Sequence, residues 1–252
     1  MGSLKKVVLL GAFAIVVAST AASAADMPAA VYEPVAPVPY EVGSNWYLRG
    51  DLGYKWYGAP NGKFDYPGYG NMFDETLDNT GLVGLGFGYK FNDYFRSDLT
   101  VDYEWDSQFT GKLNCAGGCG YSTEKADISA WTTLVNFYWD IPMNGEGVGA
   151  FTPYVGAGLG ASYLTTSSVS YINPDGSTGG WKGAGNWNFA WAATIGGSYQ
   201  ITRNWLLDIN YRYLDLGKAV SGKTLPQFNN KRIEYDDITA QEVRVGFRWL
   251  LN

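Results

Sequence analysis

The chain has 252 residues, 16% aromatic and 17% charged, with 33 Gly, two Cys, no His and a formal charge of −6. Without imidazole there is no Ser-His-Asp or Cys-His nucleophile, and two Cys do not fill a four-ligand zinc site. The surplus of acid (24) over base (18) argues against a nucleic-acid partner, and beyond the first residues no apolar run reaches the ~18 residues of a spanning helix.

Lys5 and Lys6 precede an apolar stretch from Val7 to Ala18, and Ala22-Ser23-Ala24 supplies a small-residue cleavage site. This is the order of parts in a secretory signal peptide. The expectation is a signal over 1–24, cut between Ala24 and Ala25. Residues 25–44 carry Pro28, Pro34, Pro37 and Pro39, which favour extended, unpaired backbone. They read as a periplasmic linker ahead of one domain over 45–252.

From Trp46 onward the sequence alternates with period two. Tyr47, Arg49, Asp51, Gly53 and Lys55 interleave with Trp46, Leu48, Leu52, Tyr54 and Trp56. Arg96, Asp98, Thr100, Asp102, Glu104 and Asp106 interleave with Ser97, Leu99, Val101, Tyr103 and Trp105. Such alternation makes a strand with one polar and one apolar face. Eight runs follow this rule, at about 45–57, 80–91, 94–109, 126–139, 152–166, 187–201, 205–216 and 237–250. Each has at least ~10 residues, which suits a tilted strand crossing a bilayer.

The connections alternate in length. Those at 58–79, 110–125, 167–186 and 217–236 are long and rich in Gly, Asn, Asp, Ser and Pro. Those at Asn92-Asp93 and Thr202-Arg203-Asn204 are tight, and Asp140 to Phe151 is intermediate. Long loops at one end and short turns at the other are the habit of outer-membrane barrels. The expected fold is all-β: an eight-stranded antiparallel up-and-down transmembrane barrel with both termini periplasmic. An internal echo at an offset of 110 pairs Tyr89–Phe95 with Tyr199–Trp205, as expected of two equivalent hairpins.

Aromatic residues segregate by strand end. Trp46, Trp139, Trp205 and Trp249 fall at the short-turn end, and Trp56, Trp105, Trp131 and Trp187 at the long-loop end. Two girdles at opposite ends match two membrane interfaces. The polar face carries Arg49, Lys55, Lys90, Arg96, Arg212, Arg244 and Arg248 against Asp51, Asp98, Asp102, Glu104, Asp106, Asp208 and Glu242. An Arg on the lipid face near the midplane costs ~2–4 kcal/mol, so these charges are expected inward, as a self-neutralising network. Gly84, Gly86, Gly88, Gly156, Gly158, Gly160 and Gly196 leave room for the long side chains in a narrow lumen.

In these features the chain resembles the small eight-stranded outer-membrane proteins of Gram-negative bacteria. More narrowly, it resembles the porin-like surface barrels of alphaproteobacteria, relatives of the transmembrane barrel of outer-membrane protein A. The residues that carry the likeness are Ala22-Ser23-Ala24-Ala25-Asp26, Asn45-Trp46-Tyr47-Leu48-Arg49-Gly50, Tyr154 to Gly160, Tyr199 to Tyr213, and Val243 to Trp249. The resemblance implies outer-membrane residence and insertion by the barrel-assembly machinery. One departure stands: the family commonly ends on an aromatic residue, whereas Leu250, Leu251 and Asn252 follow Trp249 here.

Cys115 and Cys119 lie in the second long connection with two Gly between them. In an oxidising compartment they are expected to close a small loop-stiffening disulfide. The favoured function is a structural, surface-exposed barrel with a side-chain-filled lumen. Its partners would be outer-membrane lipid and lipopolysaccharide, with host or phage surface ligands at four loops. The alternative is a narrow porin-like pore for small solutes. No enzyme activity, catalytic residue, metal or cofactor is expected. Haem would have to be held by Tyr or Met, and Asp236-Asp237 reads as a solvated pair.

Overall fold

The computed structural model describes residues 45–114, 118, 120–143, 147–224, 226 and 229–251. The expected signal peptide with its Ala24–Ala25 cleavage point, the linker over 25–44 and the Cys115–Cys119 disulfide lie outside the described residues.

Eight long strands carry the alternating segments: β1 (Trp46–Tyr57), β4 (Thr80–Lys90), β5 (Phe95–Asn114), β6 (Tyr121–Asp140), β7 (Phe151–Thr166), β10 (Ala184–Gln200), β11 (Trp205–Asp215) and β14 (Thr239–Leu250). Each pairs antiparallel with its neighbour in sequence. β1 pairs with both β4 and β14, placing Arg49 opposite Gly86 on one side and Arg248 on the other. The ring β1-β4-β5-β6-β7-β10-β11-β14 therefore closes on itself. Closure matters because an open edge would leave a row of unpaired backbone groups.

The two tight turns share one construction. The Asn92 Oδ1 accepts the N–H groups of Tyr94 and Phe95 at 2.8 and 2.9 Å. Thr202 Oγ1 does the same for Asn204 and Trp205 at 3.3 and 3.1 Å. A short polar side chain thus stands in for a backbone turn partner in both members of the internal echo.

The long connections are more ordered than their composition suggests. The second is chiefly strand: β5 and β6 run on through 110–114 and 121–125 as a tall hairpin, so that Asn114 pairs with Tyr121. The others hold six short strands: β2 (Asn61–Phe64), β3 (Phe73–Leu77), β8 (Val169–Ile172), β9 (Thr178–Trp181), β12 (Ala219–Val220) and β13 (Ile233–Asp236). β3 extends the sheet beside β5, and β8 and β9 extend it beside β6. β12, β13 and β2 form a separate three-stranded sheet. This cap packs on the long-loop end of the barrel, with the Tyr235 and Phe109 rings 4.6 Å apart.

Among the eight long strands the described pairings shift register once. In β5 the register shifts between Glu104 and Ser107, a β-bulge that leaves Trp105 and Asp106 both exposed. Even positions face inward up to Glu104, and odd positions from Ser107. Asp106, expected on the inward face, therefore points out. A bulge sets two residues against one and reverses the faces beyond it.

Candidate functional site

The inward face of the barrel holds the charges. Buried there are the cations Arg49, Lys55, Arg96, Arg212, Arg244 and Arg248, and the acids Asp51, Asp98, Asp102, Glu104, Asp140, Asp208 and Glu242. Lys90, expected in this set, instead sits half-exposed at the short-turn rim and pairs with Asp93 at 2.9 Å. Its strand ends there, so its long side chain reaches water. Asp140 joins the network although the sequence places it at the start of a connection, because β6 runs one residue further and ends on it.

Starting from the short-turn end, Arg96 Nε donates to Asp140 Oδ1 at 3.0 Å, and Arg248 Nη2 donates to Asp208 Oδ2 at 2.6 Å. The Arg96 guanidinium packs against a T-shaped pair of rings, 3.8 Å from the Tyr138 centroid and 4.5 Å from that of Tyr154. Tyr154 also donates its hydroxyl to Asp208 at 2.7 Å. Arg49 bridges Asp51 at 2.8 Å and Asp98 at 3.1 Å, and Tyr47 donates to Asp98 at 3.1 Å. Asn136 donates to Asp98 at 2.9 Å.

Midway, Asp102 collects two arginines. Arg244 holds it with both terminal nitrogens, and Arg212 Nη1 donates to it at 3.2 Å. In the ring order β5 and β11 are four strands apart in either direction, so Arg212 and Asp102 stand on opposite walls and meet across the lumen. Nearer the long-loop end, Lys55 sits between Glu104 and Glu242, the latter at 2.9 Å, and Tyr57 donates to Glu104 at 3.0 Å. Buried charges are tolerated when they are paired and hydrogen-bonded in this way.

Glycines make the room. A Cβ on Gly84 would strike the Asp102 carboxylate and the Arg244 guanidinium, and one on Gly88 would strike the Tyr47 ring. Side chains from the facing strands occupy the space those methyls would need.

Toward the long-loop end the inward face turns apolar. Phe109, Leu113, Ile128, Ala130, Leu134, Leu164, Ala190, Ala192, Leu214 and Ile238 pack together under Phe64, Ile233 and Tyr235 of the cap. The sequence marks charge, glycine, Tyr47 and Thr100 for the interior, and no apolar layer. On β11, for example, Arg212 is followed two residues on by Leu214, on the same face. A second, solvent-free layer therefore lies between the charged network and the cap.

The outer surface is the reverse. Trp46, Trp56, Trp105, Trp131, Trp139, Trp187, Trp205 and Trp249 all point outward, 40–69% exposed. They fall in two bands. At the short-turn end Trp205 stacks on Trp249 at 5.9 Å, and Trp46 on Phe87 at 4.7 Å. At the other end Trp131 packs on Tyr103 at 4.8 Å, and Trp187 on Tyr163 at 4.9 Å. Between the bands lie exposed Leu52, Leu85, Leu99, Val135, Leu159, Ile195, Ile209 and Val245. An apolar belt of this extent is far larger than the patches of soluble monomers.

A family described as "Outer membrane protein beta-barrel domain" matches residues 12–249. An uncharacterized protein of Brucella abortus is 38% identical over 223 residues, covering 77% of this chain and 76% of the relative. Outer membrane protein PagN of Salmonella typhimurium is 32% identical over 62% of this chain and 65% of its own. A putative adhesin of Rickettsia bellii is 28% identical over 98% of this chain and 99% of its own. Among solved structures, OprG from Pseudomonas aeruginosa aligns with 17% identity and a TM-score of 0.46 over 83% of this chain and 97% of its own. Closed ring, apolar belt, aromatic bands and sequence match agree: the chain belongs to the outer membrane protein β-barrel family.

Proposed function

We propose that this chain is a surface anchor, a plugged barrel that holds four ordered loops outside the cell. In this reading the short turns and both ends of the barrel domain face the periplasm. The two aromatic bands sit at the membrane interfaces, in contact with lipid and, in the outer leaflet, with lipopolysaccharide. The cap and the tall β5–β6 hairpin then form the surface that meets host or phage molecules. The names of the Rickettsia relatives, putative adhesins, agree with that role. We assign no catalytic residue and no cofactor.

The observation that carries the reading is the contact of Asp102 with Arg212 across the lumen. A channel needs a continuous path, and side chains from opposite walls meet at 3.2 Å in this one. An eight-stranded barrel is only wide enough for side chains to fill.

Single-channel recording on the refolded chain in a planar bilayer tests this. A silent protein that still shows heat-modifiable gel mobility supports the anchor. Discrete openings that scale with salt overturn it and establish the narrow pore.

A further inference from the structure

One buried acid takes no part in the lumen network. Glu124 is 2% exposed, faces inward from β6, and has no cation within salt-bridge distance among the described residues. It lies seven residues before Trp131, about 23 Å of strand path past the long-loop aromatic band. It is thus outside the membrane-spanning part of β6. One carboxylate oxygen accepts the Ser122 hydroxyl at 2.9 Å, while the other, Oε2, has no partner.

Its surroundings belong to the apolar layer and the cap. From β5, Gly111 stands opposite it in register, between inward Phe109 and Leu113. Lys112 points away from the layer and pairs with Asp74. From β6 itself come Ser122 and Ala126, with Lys125 on the outer face. From β8, Tyr171 is its register partner and packs on Trp181. From β3, Glu75 is engaged by the Gly62 N–H at 3.3 Å. From β13, Tyr235 is fully buried, its hydroxyl is unpaired, and it feels the Glu124 charge. No neighbouring element offers Glu124 a counter-ion.

We propose that the sheet β12–β13–β2 is a proton-gated lid, seated on the apolar layer while Glu124 is neutral and released when Glu124 ionises. The segment has roots on which to move. Gly217 and Asp237 flank β12 and β13 with left-handed φ of 79° and 58°. The root is zipped by Leu216 N–H to Ile238 O at 2.9 Å and Ile238 N–H to Gly217 O at 2.8 Å.

Burial pushes the Glu124 carboxyl up to about 7 from an ordinary 4.5. The seated state therefore binds the proton more tightly than the released one. Seating is fully favoured below about pH 4.5, weakens as pH rises from there to about 7, and stays at its lower level above. The closed-to-open ratio falls by roughly 300-fold across that window.

Hydrogen–deuterium exchange of the full chain in lipid nanodiscs tests the lid, with labelling times corrected for intrinsic exchange at each pH. Amides of 61–64, 219–224 and 229–236 should lose protection by roughly 100-fold or more between pH 4.5 and 8, while those of β11 and β14 hold. Glu124→Gln should keep the same amides protected at every pH, and Tyr235→Phe, which keeps the acid, should still respond. Wild-type protection that does not change with pH overturns the proposal, as does an undiminished response in Glu124→Gln. If Glu124→Gln does not fold, the infrared band of a protonated carboxyl decides in the wild type. It should disappear over the pH range in which the amides open, and its absence at pH 5 overturns the lid.

Discussion

Arg212 and Asp102 stand on opposite walls of the barrel, 110 residues apart in sequence, and their side chains meet at 3.2 Å. Arg244 grips the same carboxylate from a third strand. Asp102 thus ties β5 to β11 and β14, which pair with each other but not with β5.

Removing that tie should be expensive. Asp102→Ala leaves Arg212 buried without its anion and Arg244 with only its longer contacts to Asp51 and Glu242, and breaking a buried pair by deleting one partner costs about 3–5 kcal/mol. Urea titration of the refolded barrel in lipid vesicles, followed by tryptophan fluorescence, should show a loss of that size. Asp102→Asn, which retains the shape, should lose less.

Gly84 tests the same contact from the other side. A Cβ there meets both Asp102 and Arg244. Gly84→Ala should destabilise by about 1–3 kcal/mol, the usual cost of overpacking. Gly70 has open space around its Cβ position. Gly70→Ala should therefore stay within about 0.5 kcal/mol of the wild type in the same assay.

Arg96→Lys conserves charge but not shape. The planar guanidinium packs against the mutually perpendicular Tyr138 and Tyr154 rings while its Nε–H is shared by both Asp140 oxygens, and an ammonium reproduces neither contact. The expected loss is about 1–2 kcal/mol. A heat-modifiability midpoint equal to that of the wild type would show that the tyrosine clamp contributes nothing.

The charged network and the apolar layer close the lumen separately. Replacing 218–236 by a two-residue turn should lower the melting temperature yet leave planar-bilayer recordings silent. Conductance in that variant would mean that the cap, rather than the Asp102 contact, is the seal.

The barrel was legible because eight runs of ten or more residues repeat with period two, and each long strand falls on one of them. The inward charges were legible for the same reason. The arrangement above Glu104 was not. Past the bulge, β5 reverses its faces without a compositional mark, since Trp105 and Asp106 read as ordinary members of their alternating sets. The inward Ala190, Ala192 and Leu214 look like residues of an outward face. Tyr138 and Tyr154 were hidden by chemistry, because a tyrosine suits a membrane interface as well as it suits a buried carboxylate. The cap strands are short and Gly/Asn-flanked, and their pairing joins residues far apart in the chain, such as Phe64 with Ile233.

The bulge at Asp106 acts like a shift of reading frame. If the same residues ran through 105–107 in strict alternation, with no bulge, Lys112 would turn into the apolar layer, and Phe109 and Leu113 would turn out to water. One residue thus lets a single strand serve two solvents, lipid along its lower half and water along its upper half, while keeping its interior side continuous. It follows that deleting Asp106 would restore strict alternation with Phe109 and Leu113 still inward, and should be far milder than deleting Thr100, which would turn the charges on one side of the cut outward.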